Sequence, residues 1–535
     1  MKKYLPLLLL GLSLLPLADL LHPGLPQGHD TRDHVARIAN FYSNLAEGTI
    51  VPRWAGNLNW GYGHPVMMFL YPLPSYLASL FHLTGLDLVT SVKLVFATAF
   101  VASVFAMYAW AGLQWGVTAG FLAAILYGFA PYRFVDLYVR GAIGEHVAFV
   151  FPPLILWGIL KLAQEKKKLT AWVLVIAVST AGLLLSHNAL SLMFLPIIIL
   201  YVLYLYFFVA KKSVPFIVYC LWSLALGFGL STFFWLPALV EGKYTLRDIV
   251  TAGEFENRFV SVRDLLYTRW SYGGGNELAK HLGIAQLVVV LGGAWSLWRQ
   301  KIEKKQRYLG WALIAILLAA SFLMTRPSLP IWESVTLLQK FQFPWRLLSL
   351  SVFAVAALAA WWKPKFWWVL ATLAVVLTIP MWRAPSYIVR PETFYTGIYP
   401  GTTDTGESSP VWSVRFMEAP PAEYTEVIEG DAIIVSGQRT NTRHVYSVEA
   451  TTTARIRENT LYFPGWKVLV DGKDTSIEFQ DPANRGLMTY YVDPGTHRVD
   501  VQFEETKLRL FADYISLASL GILGVLGTMA LWRAK

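Results

Sequence analysis

Long apolar runs bounded by charge or by Pro and Gly recur along this chain, and each is long enough to cross a hydrocarbon layer as a helix. Twelve such runs are readable: 4–21, 88–112, 115–130, 147–162, 169–186, 189–210, 215–236, 280–298, 308–324, 347–362, 366–382 and 510–532. The first follows Lys2 and Lys3 but continues through Pro16 to Leu21 with no small-x-small cleavage pattern, so it reads as a span and not as a removed signal. Between 383 and 509 the pattern changes to short alternating stretches, as in Ala432 to Ser436, Arg443 to Glu449 and Ala454 to Leu461. Period-two alternation predicts strands. Two hairpins are expected there: Trp466 to Val470 turning at Asp471-Gly472 into Thr475 to Phe479, and Leu487 to Val492 turning at Pro494-Gly495 into His497 to Phe503. The fold class that follows is a polytopic α-helical membrane protein of about twelve spans, with a β-sandwich-like domain before the last helix. Its parts are a bundle over 1–382 with a large first loop at 22–87, the β domain over 383–509, and a final helix and tail over 510–535.

Composition agrees with this reading. Of 535 residues, 55% are hydrophobic and only 15% charged, against about 25% charged in soluble chains. The formal net charge is +10, and its placement decides what it means. With the N-terminus inside, the short inner segments are 161–168, 211–212, 299–307, 363–365 and 533–535; with Lys2 and Lys3 they carry many Lys and Arg against only Glu165 and Glu303. The excess is a topology signal under the positive-inside rule, not a nucleic-acid footprint. Both termini are then cytoplasmic, and the long segments 22–87, 131–146, 237–279 and 383–509 lie outside. The single Cys220 excludes an intrachain disulfide and a thiol-ligated metal cluster.

The first long loop holds the most concentrated candidate chemistry. A helix is expected over Thr31 to Glu47, with Val35, Ile38, Ala39, Tyr42 and Leu45 as its apolar stripe; Asp30, Asp33, His34 and Arg37 share the opposite face at i, i+3, i+4 and i+7. Three roles fit those residue types. Asp30 caps the helix while Asp33 pairs with Arg37; or His29, Asp30, Asp33 and His34 hold a metal, although no recognised ligand spacing supports a divalent ion; or a carboxylate acts as a general base beside a substrate. The loop continues through Pro52-Arg53-Trp54, Asn59-Trp60-Gly61-Tyr62-Gly63-His64-Pro65 and Tyr71-Pro72-Leu73, longer than a simple connector requires.

The series Gly28-x-Asp30-x3-His34-x2-Arg37, Gly48-x3-Pro52-Arg53-Trp54, Gly61-Tyr62-Gly63-x-Pro65 and Tyr71-Pro72-Leu73-x2-Tyr76 resembles the bacterial membrane proteins labelled 6-pyruvoyl-tetrahydropterin synthase-related, relatives of the YfhO-like proteins in the GT-C glycosyltransferase superfamily. Later elements that carry the resemblance are Arg140-Gly141-Ala142-Ile143-x-Glu145, Ser186-His187-Asn188, Phe234-Trp235-Leu236-Pro237-Ala238-x2-Glu241, Phe343-Pro344-Trp345-Arg346 and Tyr462-Phe463-Pro464-Gly465-Trp466. No pterin-enzyme metal triad accompanies them. The resemblance implies an inverting transferase that moves a sugar from a polyprenyl-phosphate donor, its tail among membrane lipids, to an extracytoplasmic acceptor such as an envelope glycan, lipid or protein. Asp30 is the implied base, with Asp33 and His34 beside it. Arg37, Arg140 and Arg346 are candidates for the donor phosphate, since a guanidinium grips phosphate oxygens bidentately. Glu145, Glu241, His187, Asn188 and Tyr62 are candidates for orienting substrate. A lipid-linked-sugar flippase or a non-catalytic envelope scaffold is the alternative; a transporter would be expected to show repeated halves with charged or broken mid-membrane helices, and neither is evident.

Overall fold

A computed structural model describes residues 2–165, 168–299, 301–362 and 367–532. The inner segments 363–365 and 533–535, and Lys166 and Lys167, lie outside the described residues. Among the described residues seven helices are long and apolar enough to cross a membrane: Leu88–Trp115, Ile143–Gln164, Leu169–Ser186, Asn188–Phe208, Lys304–Leu323, Pro344–Trp361 and Lys507–Trp532. Two bent pairs raise the number to nine, Val117–Gly128 with Pro131–Arg140 (48°) and Val214–Leu230 with Thr232–Tyr244 (68°). Leu5–Leu21, Ile284–Arg299 and Trp367–Met381 are shorter apolar helices. Together these elements fall on the twelve runs read from the sequence.

One difference positions the site. Residues 131–146, expected as an external connection, are buried without exception. Pro131 cannot continue the helix ending at Gly128 but pre-sets the dihedrals of a new one, so the chain turns by 48° into Pro131–Phe134 and a π-helical turn, Val135–Arg140. π-turns of this kind are rare and favour functional positions. A left-handed Gly141 (φ 67°) then reverses the chain into Ile143–Ala148.

The helix Thr31–Ala46 forms where the period of its apolar residues predicts it, and it is buried on both sides. Val35, Ile38, Ala39 and Phe41 pack against the bundle, while His34, Arg37, Asn40 and Asn44 are covered as well. The cover comes from residues 396–409. Asn57, Asn59 and Trp60 exchange backbone hydrogen bonds with Tyr399 and Gly401 at 2.9 Å, and Leu25–Pro26 pairs antiparallel with Tyr387–Ile388.

The β domain consists of two antiparallel sheets. One has five strands in the order Ala432–Arg439, Arg443–Ala450, Gly495–Phe503, Trp466–Val470, Lys473–Thr475; the other has Thr425–Glu429, Ala454–Leu461, Leu487–Val492. Val448, Ile456, Val468, Met488, Val499 and Val501 form part of their common core. The Asp471-Gly472 hairpin forms, both residues having positive φ as a type I′ turn requires; its second strand is Lys473–Thr475 rather than Thr475 to Phe479. The hairpin expected at Pro494-Gly495 does not form. Leu487–Val492 pairs with Ala454–Leu461, whereas Gly495–Phe503 pairs with Arg443–Ala450 and Trp466–Val470, so the chain changes sheets at this turn. Alternation and a turn dipeptide are equally compatible with a hairpin and with a corner between facing sheets.

The last helix is locked to the rest by buried charge. Arg509 is fully buried; its Nε donates to Glu241 Oε2 at 2.8 Å and its Nη2 to the Pro464 carbonyl at 2.6 Å, while Thr506 donates to Glu241 Oε1 at 2.9 Å. Arg53 reaches Glu505 and Asp513 on the same segment at 2.7 and 2.8 Å. Removing one partner of a buried pair leaves the other uncompensated, at a cost of about 3–5 kcal/mol. Arg509→Ala is expected to lower the thermal midpoint of the detergent-solubilised protein, at the lower end of that range, without removing the cleft described next.

Candidate active site

A cleft of about 420 Å³ opens between the first loop, the ends of several bundle helices and the segment 401–409. Asp30, Asp33, His34, Arg37, Arg140, His187, Asn188 and Arg346 all line it. They come from separate stretches of sequence, and local geometry explains why each arrives there.

The turn before the first-loop helix lies flat on the Gly141 turn. His29 N donates to the Val139 carbonyl and Asp30 N to the Arg140 carbonyl, both at 2.9 Å. Thr31 Oγ1 donates to the Pro26 carbonyl at 2.8 Å and accepts from Gly28 N at 3.0 Å. The two backbones touch. A Cβ on Gly141 would lie 2.2 Å from Thr31 Cγ2, and one on Gly28 would lie 3.0 Å from Gly141 N. The spacing Gly28-x-Asp30 thus brings the Asp30 side chain beside Arg140. Gly141→Ala adds a clash to a positive φ, and is expected to lower stability by about 1–3 kcal/mol and to displace Asp30; a shifted melting curve with reduced turnover checks this.

Thr31 tethers the turn, and the Asp30 side chain makes no capping hydrogen bond. Among the described residues nothing holds the Asp30 carboxylate by a hydrogen bond. It is reached by solvent through the cleft yet surrounded by protein, and this confinement raises its pKa above the ordinary value, against the pull of Arg140; Asp33 adds to the rise. Asp33 does not pair with Arg37 either. Its Oδ1 accepts from Tyr399 OH at 2.5 Å. Arg37 donates from Nε to Thr403 Oγ1 at 3.1 Å and from Nη2 to the Thr403 carbonyl, and its Nη1 lies 3.3 Å from His34 Nδ1. Burial, with Arg37 nearby, pushes the His34 pKa well down. His34 is therefore neutral at physiological pH.

The cleft that Asp30 lines also holds a clamp of guanidiniums. Glu145, 1% exposed, accepts at Oε1 from Arg140 Nη2 (2.8 Å) and Arg346 Nε (3.0 Å), and at Oε2 from Tyr132 OH (2.7 Å). Arg140 Nη1 donates to Asp136 Oδ1 at 2.6 Å, and its guanidinium lies 4.5 Å from the centroid of the Trp345 ring. Arg346 Nη1 donates to the Phe341 carbonyl at 2.9 Å and to Gln342 Oε1 at 3.0 Å. The motifs at 140–145 and 343–346 therefore meet on one carboxylate. His187 caps the helix Asn188–Phe208 by accepting from Leu190 N at 3.2 Å, and its Nε2 lies 3.8 Å from Glu145 Oε1. Asn188 donates to the Phe69 carbonyl at 3.2 Å. A Cβ on Gly144 would lie 2.1 Å from the Tyr71 ring, so the glycine seats Tyr71 against the clamp.

Two candidates are placed elsewhere. Glu241 belongs to the Arg509 lock, and Tyr62 lines a second cavity against the β domain. Sequence reasoning did not single out Tyr132, Asp136, Gln342 or Thr403. Glu407 accepts from Gln342 Nε2 at 3.0 Å, and Asp404 accepts from Gly406 N and Ser408 N at 2.8 and 3.0 Å, folding the 401–409 segment over the cleft. Its only sequence signal is a cluster of Gly, Thr, Asp and Ser, which reads as an irregular loop. Among the described residues no three His, Cys, Asp or Glu side chains gather in a set that could hold a metal ion.

A multi-pass helical bundle, a β domain before its last helix and a charged cleft between them define a polytopic membrane protein with a built polar site. The model of the 6-pyruvoyl-tetrahydropterin synthase related domain, a membrane protein, matches residues 68–389, more than half the chain, and the chain belongs to that family. The match contains Arg140, Glu145, His187 and Arg346 but not Asp30 or the β domain. An uncharacterized protein of Lactococcus lactis subsp. cremoris (strain MG1363) is 27% identical over 239 residues, 43% of this chain and 38% of that protein. Among solved structures, the arabinofuranosyltransferase AftD from Mycobacteria aligns at 14% identity and a TM-score of 0.46, covering 71% of this chain and 26% of AftD. ArnT from Cupriavidus metallidurans aligns at 13% identity and a TM-score of 0.31, covering 70% of this chain and 77% of ArnT. The chain spans about two fifths of the Lactococcus protein and about a quarter of AftD.

Proposed function

We propose that the chain is an integral membrane glycosyltransferase of the GT-C kind, which transfers a sugar from a polyprenyl-phosphate donor to an acceptor on the side of the membrane that bears the β domain. One observation carries the reading: an unpaired carboxylate, Asp30, faces the same cleft as two guanidiniums fixed from behind by Glu145. An inverting transfer needs those two things on opposite sides of an anomeric carbon. The acceptor oxygen attacks that carbon as its proton passes to Asp30, the bond from carbon to phosphate oxygen breaks, and polyprenyl phosphate leaves with the electron pair. Negative charge gathers on the departing phosphate, and positive groups already in place stabilise it without reorganisation. Arg140 and Arg346 meet that requirement because Glu145, Asp136 and Gln342 occupy some of their donors and fix the planes of the rest. Arg37 is held by Thr403 at the same cleft. No second carboxylate is required, in contrast to a glycosidase pair. Asp33 and His34 flank the base and would shape the acceptor's approach, with His187 and Asn188 at the floor.

The basic short connections support an orientation with the β domain extracytoplasmic and both ends of the chain cytoplasmic, in the cell membrane. Purified protein in nanodiscs, given a panel of radiolabelled polyprenyl-phosphate sugars and envelope glycan acceptors, is expected to release polyprenyl phosphate and to form a product with inverted anomeric configuration. Movement of intact donor between leaflets with no cleavage would replace this reading with the flippase one.

A further inference from the structure

The cavity lined by Tyr62 has no part in the chemistry above, yet it is built with care. It encloses about 320 Å³ between the first loop and the β domain. Its β-domain wall rests on Glu458, which is fully buried and lies 2.6 Å from Arg439 Nη1 and 2.9 Å from His444 Nδ1. Burial alone would raise the Glu458 pKa, but His444 and Arg439 outweigh it and bring it down to about 2. The carboxylate is thus ionised, and it holds the Arg439 guanidinium and the His444 ring in place. Arg439 also donates to Thr460 Oγ1 at 2.9 Å and lies 4.3 Å from the centroid of the Tyr424 ring. On the other wall the Asn441 amide is held by Glu47 (2.7 Å) and Ser43 (2.9 Å).

The loop that borders this space is contorted. Asn59 and Trp60 have φ of 54° and 61°, and Gly61 and Gly63 have φ of 86° and 78°. Left-handed conformations at non-glycine residues cost of order 1–3 kcal/mol each and persist where the surroundings enforce them. A Cβ on Gly61 would come within 2.9 Å of Ile398 and 3.7 Å of Tyr424. A side chain there would fill the floor of the cavity.

Glu458 is matched by the Arg439 guanidinium, and the Glu47 carboxylate accepts from the Asn441 backbone and amide. What remains toward the space is amide, hydroxyl and guanidinium edges beside the rings of Tyr62 and Tyr424. Fixed polar groups beside aromatic faces suit a ligand that is neutral, rich in hydroxyls and partly apolar on one face. The same helix serves both cavities: Asp33 borders the cleft and Ser43 borders this one, about 15 Å apart at 1.5 Å per residue.

We propose that this cavity is a saccharide-binding subsite, which holds the body of an oligosaccharide acceptor while its end enters the cleft. The acceptor role rests on the transferase reading; the binding does not, and the two fail separately. The test is calorimetric titration of the full chain in nanodiscs with soluble gluco-, galacto-, manno- and N-acetylglucosamine oligosaccharides. At least one is expected to bind the wild type and to bind Tyr424→Ala about tenfold more weakly. Tyr424 is 43% exposed, so its loss leaves the fold in place; should Tyr424→Ala fail to fold, Tyr62→Ala takes its place with the same expectation. No binding of any of these oligosaccharides to the wild type, or equal binding to the tyrosine variant, would overturn the proposal. Binding with no transfer by the wild type would uphold the subsite and sink the transferase reading.

Discussion

Asp30→Asn is expected to lower sugar transfer by about 10²–10⁴-fold, the range a positioned general base supplies, while the protein folds and binds donor as before. Folding is spared for a specific reason. The carboxylate accepts no hydrogen bond among the described residues, and its raised pKa means that the folded protein disfavours its ionised form. A neutral amide of the same shape removes that penalty, so the thermal midpoint should hold or rise slightly, as expected where a site is built for activity at the expense of stability. Donor binding is spared because Arg140 and Arg346 keep Glu145. The wild-type rate should fall on acidification, since the base works only when deprotonated, and the half-point should lie above the ordinary 3.8 of an aspartate because the pKa is raised. A pH-rate profile with the acid limb at or below 3.8 would remove Asp30 from that role.

Glu145→Gln should be the most damaging single change in the bundle. It keeps the shape and one acceptor oxygen but removes the charge on which Arg140 and Arg346 converge at 2.8 and 3.0 Å. Arg140 retains Asp136 at 2.6 Å, whereas Arg346 has no other carboxylate in an ion pair among the described residues. Breaking a buried pair costs about 3–5 kcal/mol, and two guanidiniums are affected here, so the upper end is expected in denaturation experiments. Turnover should fall further than stability accounts for, because the donors aimed at the phosphate lose their backing. Loss of donor affinity with turnover at saturation unchanged would identify a contact made equally in the ground state; loss of turnover alone would identify one made as the phosphate departs.

The spans were legible because an apolar run of about twenty residues has few other uses, and the strands because alternation marks a face. The cleft was legible in pieces. Asp30, Arg140, Glu145 and Arg346 stand in short motifs with glycine or proline beside them, and the structure gives those neighbours their physical meaning: Gly28 and Gly141 let two backbones touch, and Pro131 bends a span so that 131–146 is buried. That fold-back was not legible, because a segment with Arg133, Asp136 and Arg140 reads as solvent-exposed until its partners are known. Glu241 illustrates the same limit. A lone carboxylate at a helix end gives no sign of Arg509, 268 residues away in sequence. Thr403 and Glu407 lie in a stretch without periodicity, and only the packing of 401–409 against Arg37 and Gln342 brings them to the cleft.

The most direct measurement is a cryo-electron microscopy structure of the Asp30→Asn variant in nanodiscs with a polyprenyl-phosphate sugar bound. The expected result is density for the phosphate within hydrogen-bonding distance of Arg140 and Arg346, with the anomeric carbon turned toward residue 30. A phosphate lodged elsewhere, with the cleft filled only by solvent, would contradict the assignment of this cleft as the donor site.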